Sequence, residues 1–141
     1  MPFVEMPLDD DYEDVPASEG EHDLRITQVL RKQPGDKEKA PEYTLLITVE
    51  DDDKAGAFRH PIWLPAPLCG YEVDAEQNKR RKRDLVRLFA VFNIAYDPRE
   101  GFNDEDLQGG TGRCMLNKRE RRDMPGEFEN SLRLPKHQTG G

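Results

Sequence analysis

Tyr43-Thr44-Leu45-Leu46-Ile47-Thr48-Val49 is the stretch on which the fold turns. Tyr43, Leu45, Ile47 and Val49 alternate with Thr44, Leu46 and Thr48. A period of two puts alternate side chains on opposite faces, the pattern of a strand with one buried face. Asp51 to Gly56 follows with turn chemistry, and a further strand is expected over 57–64. There Phe58, His60, Ile62 and Leu64 share one face, with Arg59 and Trp63 on the other. Pro61 has no amide hydrogen, so this strand belongs at an edge or a bulge.

Upstream, Val15 to Gly20 reads as the entry turn of the domain, and a strand is expected over 21–32. Leu24 and Ile26 share its inner face, and Arg25 and Thr27 its outer face. The phase breaks at the adjacent pair Val29-Leu30, which suggests a bulge. Residues 33–41 are a polar loop.

Downstream, 65–73 is an irregular loop and 75–95 a helix, capped by Asp74 and ended by Asp97-Pro98. Leu85, Leu88, Phe89 and Phe92 form one apolar stripe at helical spacing. After a polar loop over 97–109, Cys114 and Leu116 mark a fourth strand. Phe128 to Leu134 forms a fifth, with Leu132 and Leu134 facing inward.

Three strands, one helix and two strands is the element order of a five-stranded OB-type β-barrel, a class that binds oligonucleotides. The fold class expected is therefore mainly β, with one helix between strands 3 and 4. The domain organisation expected is an acidic flexible tail over 1–14, one barrel domain over 15–135, and a flexible tail over 136–141.

Charge is unevenly placed. The chain has 141 residues and a net charge of -8. Nine of its 29 acids, Glu5, Asp9, Asp10, Asp11, Glu13, Asp14, Glu19, Glu21 and Asp23, lie in residues 1–23, which hold no Lys or Arg. Residues 24–141 thus carry 20 acids against 21 bases, so the acidity is that of a tail on a near-neutral domain. Cys69 and Cys114 form no CxxC and suggest a reducing compartment. No apolar run is long enough to span a membrane, and the acidic N-terminus is unlike a signal peptide.

With these elements in place, the sequence resembles the small OB-fold single-stranded DNA-binding proteins of bacteriophage replication and recombination modules. The resemblance covers roughly residues 15–135. It rests on Val15-Pro16-Ala17-Ser18-Glu19-Gly20, on the run Tyr43 to Val49, and on Leu88-Phe89-Ala90-Val91-Phe92-Asn93-Ile94. Leu107-Gln108-Gly109-Gly110-Thr111-Gly112-Arg113 and the closing Leu132-Arg133-Leu134-Pro135 complete it. It implies a non-enzymatic protein that coats and protects single-stranded DNA in the cytoplasm of the host cell, if phage-encoded. Many such proteins carry their acidic segment at the C-terminus, whereas here it leads the chain. Replication or recombination proteins would then dock on the N-terminal tail, and a homo-oligomer is an open alternative to a monomer.

Candidate binding residues follow from charge and aromaticity. Lys79, Arg80, Arg81, Lys82 and Arg83 crowd the first turns of the helix, where positive charge opposes the macrodipole. Phosphate contact explains such a run, and a solvated helix face is the competing account. Arg113, Lys118, Arg119, Arg121 and Arg122 fall on the last hairpin, whose loop OB folds place beside the ligand. Four of these bases surround Glu120 in one expected tight turn, where an anion would relieve their repulsion. Arg25 and Arg59 add outward charge. Trp63, the single tryptophan, either stacks on a base or covers a barrel end. Phe128 either stacks or packs.

Other chemistries find little support. His22, His60, His137, Cys69 and Cys114 lack zinc-site spacing, so no metal or cofactor is expected. There is no GxSxG, and Gly109-Gly110-Thr111-Gly112 lacks the lysine of a P-loop. The acids of 9–14 lack the spacing of a calcium loop. An RNA-binding OB domain and a non-catalytic scaffold subunit are the alternatives to DNA binding.

Overall fold

The computed structural model describes Phe3, residues 15–36 and residues 40–135. The expected tails over 1–14 and 136–141 lie outside the described residues, Phe3 excepted. Five strands form: β1 (Gly20–Arg31), β2 (Tyr43–Val49), β3 (Phe58–Ile62), β4 (Thr111–Glu120) and β5 (Phe128–Arg133). The helix α1 (Ala75–Phe92) lies between β3 and β4. All pairings are antiparallel, in the order β3-β2-β1-β4-β5. The edge strands β3 and β5 approach each other, so the sheet curls into a nearly closed barrel of OB type.

β1 pairs with both β2 and β4, and a bulge lets it turn that corner. Ile26 faces Ile47, but Gln28 faces Leu46 and Val29 faces Leu45, so the extra residue is Thr27. The insertion returns Val29 to the inner face, and the Thr27 hydroxyl bonds the Leu46 carbonyl at 3.1 Å. The break therefore falls two residues before the Val29-Leu30 pair that advertises it. Pro61 faces Thr44 on β3, which stands at the edge of the strand order and pairs with β2 alone, the position in a sheet that tolerates proline. Regular pairing in β3 stops at Ile62, short of the expected 64. There the Leu64 amide turns instead to Glu42 Oε1 at 2.6 Å.

Inside the barrel, Leu24, Ile26, Leu45, Ile47, Phe58, Ile62 and Leu116 are buried. Leu88, Phe89 and Phe92 of α1 join them, so the predicted stripe plugs one end of the barrel, with Leu85 half-buried at its margin. Asp74 caps the helix by accepting from the Gln77 amide at 2.8 Å. The helix ends at Phe92, earlier than the expected 95, because Asn93 takes a left-handed conformation (φ 57°). The Ile94 amide then bonds back to Phe89 O at 2.9 Å. Asp97-Pro98 serves a separate tight turn, in which Asp97 Oδ1 accepts from Arg99 and Glu100.

The last hairpin is longer than expected. Lys118, Arg119 and Glu120 are in β4, opposite Asn130, Glu129 and Phe128, and the loop proper spans 121–127. The basic residues around Glu120 thus do not crowd one turn. Alternation splits them between faces, and Arg119 meets Glu129 while Arg121 meets Asp123.

Candidate nucleic-acid interface

Because β3 and β5 do not pair, their seam is an open groove. Arg59 stands at its middle, lining the pocket at either end. Toward α1 the groove is bounded by Trp63, Arg81 and Arg119. Toward the β4–β5 loop it is bounded by Leu46, Arg121 and Phe128. Register explains the Arg59–Leu46 neighbourhood, since the two face each other across β3 and β2 on the outer surface.

Trp63 is 39% exposed and Phe128 50%, so each presents part of a ring to solvent. Trp63 follows the last residue of β3, and its neighbour Leu64 is tied at both backbone atoms. Glu42 takes the Leu64 amide, and the Leu64 carbonyl accepts from Arg81 Nη1 at 3.0 Å. These bonds hold the segment carrying the indole. Arg81 also lies over the Tyr71 ring, 5.4 Å from its centroid. Its guanidinium is thus partly committed to structure, unlike the exposed Lys79, Arg80, Lys82 and Arg83 around it.

The other candidates separate by place, since Arg119 and Arg121, which line the groove, are ion-paired as well, to Glu129 and Asp123. Arg113 is held by Glu21 and Asp23, which raise its pKa further, and Arg25 pairs with Glu50. Both lie on the β1 side of the barrel, away from the groove. Lys118 and Arg122 are exposed and do not line it. Arg59 has no ion pair among the described residues. The structure therefore gathers Arg59, Trp63, Arg81, Arg119, Arg121 and Phe128, and leaves Arg25, Arg113, Lys118, Arg122 and most of the helix run apart.

Three contributors escaped the sequence reading. Val15 and Pro16 line the loop end of the groove. His60 lines the helix end, between the inward residues Phe58 and Ile62. A polar ring on an otherwise apolar strand face is the signal that could have drawn attention to His60. Burial, and secondarily the charge of Arg119, push its pKa down to about 4, so the ring is neutral at pH 7.

A second cluster has the residue types of a hydrolytic triad. Ser18 Oγ lies 3.4 Å from His22 Nε2, and His22 Nδ1 lies 3.0 Å from Asp51 Oδ1. Yet Nε2 is only 2.7 Å from the Ser18 carbonyl oxygen. Both ring nitrogens thus face acceptors. Burial works against charge on this ring, but the Ser18 carbonyl and Asp51 outweigh it and raise the pKa. With Nε2 given to the Ser18 carbonyl and Nδ1 to Asp51, His22 has no lone pair aimed at the Ser18 hydroxyl, unlike the base of a triad. Among the described residues no group of three or more His, Cys, Asp or Glu is placed to hold a metal. No helix among them is long and apolar enough to cross a membrane.

Neither protein-family models nor curated proteins give a match to this chain.

Proposed function

We propose that this chain is a single-stranded DNA-binding protein, acting without catalysis in the cytoplasm during phage-type replication, recombination or repair. The observation that carries the reading is the β3–β5 groove. Arg59, Arg119 and Arg121 run along it, and Trp63 and Phe128 lie at its two ends. It adjoins the strand 2–3 face and the β4–β5 loop that OB folds turn toward bound strands. Guanidinium groups follow a phosphate backbone, and exposed rings accept unstacked bases whatever their identity. Duplex bases are already stacked on each other, so a duplex offers this groove only its phosphates.

The test is a titration of the full chain with single-stranded DNA, duplex DNA and single-stranded RNA 12-mers at two salt concentrations. Single-stranded DNA should bind best and quench Trp63 fluorescence. Its log affinity should fall with log salt by about 0.7 per phosphate contacted. Tighter binding to RNA would move the reading to an RNA-binding OB domain. Preference for duplex, or binding of no nucleic acid, would overturn it in favour of a scaffold.

A further inference from the structure

The helix end of the groove is a pocket of about 270 Å³ between β3, α1 and β5. Its floor is apolar, from Ile62, Leu85, Leu88 and Leu132, and Trp63 forms part of its wall. Arg59, Arg81 and Arg119 contribute cations, against the carboxylate of Asp84 in the lining and that of Glu129, which pairs with Arg119 from beside it. Within this lining His60 is the polar ring that comes from the inward face of a strand. It faces Leu45 in the β2 register, a position that a closed barrel would fill with an aliphatic side chain. The ring makes no hydrogen bond among the described residues. As a neutral imidazole it offers one donor and one acceptor.

A donor–acceptor pair left to water in a mostly apolar pocket is where a ligand's polar edge gains specificity. The ligand must be flat enough to lie on aliphatic side chains, polar at its edge, and attached to negative charge. We propose that this pocket takes one nucleobase turned out of the bound strand, its edge against His60, its face toward Trp63, and its flanking phosphates on Arg59 and Arg119. Single-stranded bases are recognised elsewhere in this way, splayed from their neighbours, stacked on rings and bonded at their edges. An aromatic side chain of a partner protein would suit the floor but would bring no anion for the arginines. The inference rests on the strand-binding reading and adds to it a specific pocket with a specific reader.

The experiment follows the imidazole carbon–proton signals of the full-length protein by NMR. His60 is assigned with His60→Gln, since the chain has three histidines. The probes are a dT 12-mer and an abasic 12-mer of the same backbone. The dT 12-mer should shift the His60 signal at saturation, and the abasic strand should leave it in place. His60→Leu, which keeps an inward apolar side chain, should weaken dT 12-mer binding by about tenfold, with little change for the abasic strand. The wild-type NMR arm needs no variant to fold. Tight binding of the dT 12-mer with an unmoved His60 signal overturns the base pocket while strand binding stands. A shift of equal size from the abasic strand assigns the pocket to phosphate and also overturns it. Failure of the dT 12-mer to bind at all overturns both readings.

Discussion

Asn130 holds both polar backbone atoms of Ala17. Its Oδ1 accepts from the Ala17 amide at 2.8 Å, and its Nδ2 donates to the Ala17 carbonyl at 3.0 Å. Both residues are buried, and 113 positions separate them. The clip fastens the entry segment to β5 and so places Val15 and Pro16 at the loop end of the groove.

Asn130→Ala should therefore cost more than an ordinary side-chain truncation. It leaves a buried amide and a buried carbonyl without partners, a loss of about 2–3 kcal/mol. Urea denaturation of the two proteins measures it. A change below about 0.5 kcal/mol would mean that the clip adds nothing beyond what water supplies.

Gly112 is where β4 passes closest to the helix. A Cβ built there would lie 1.8 Å from the Val91 carbonyl oxygen, so one element must move. Gly112→Ala should destabilise the domain by about 3 kcal/mol or more. Gly110→Ala, whose Cβ would meet its nearest neighbour at 3.3 Å, should cost less. Thermal melts rank the two, and the reverse order would contradict the helix position.

Two histidines make stability depend on pH in opposite senses. His22 has a raised pKa, so its contribution is fully present below the unfolded value near 6.5 and is lost as pH rises through the folded value. His60 is depressed to about 4, so its neutral form supports the fold above 6.5 and the support fades as pH falls toward 4. That shift corresponds to up to about 3 kcal/mol. Arg59 of β3, Trp63 just after it, Arg81 and Asp84 of α1, Arg119 of β4 and Ser131 of β5 line the same pocket, so protonation there adds a cation among arginines. His22→Gln should flatten the loss above pH 6.5, and His60→Gln should flatten the loss below it. Denaturation midpoints across pH 4–8 decide this, and unchanged profiles would contradict both assignments.

Arginine substitutions should separate groove from scaffold. Arg59→Ala should weaken single-stranded DNA binding and reduce the salt slope by about 0.7, the loss of one phosphate contact. Arg113→Ala should leave affinity almost unchanged, because that guanidinium sits on the β1 side with Glu21 and Asp23 and does not line the groove. Fluorescence titrations over a salt series compare them. A larger loss for Arg113→Ala would move the interface to the β1 side.

Deletion of residues 1–14 should tighten binding at low salt. The chain from Met1 to Asp14 carries six acids and no base, and it joins the barrel at Val15, beside Arg121 and Arg59. A tethered polyanion acts at an effective concentration of order mM. Screening shortens its reach as salt rises, so the gain should shrink. Equal affinities of the full and shortened chains at low salt would reduce the segment to a solubility or docking role.

Local chemistry made much of the fold legible. The period of Tyr43 to Val49, the stripe from Leu85 to Phe92 and the Asp74 cap each depend on neighbours within a few residues. The groove was legible in part. Outward alternation identified Arg59, and position in the hairpin identified Phe128, but neither indicates which other residues will be near.

The sequence by itself determined the element order, the inward face of each strand, and the separation of an acidic leading segment from a balanced domain. These follow from side-chain periodicity and composition, which the chain carries locally. Only the tertiary structure decided which arginines remain available. Arg113 and Arg59 both read as outward basic residues on strands, and they part because β1 brings Glu21 and Asp23 to one, whereas the other, on the open β3–β5 seam, has no ion pair among the described residues. Ion pairing acts over a few ångströms, and the partners here lie 90 or more positions apart in sequence. The same closure turned His60, one inward residue of an edge strand, into the polar wall of a pocket shared with α1 and β5.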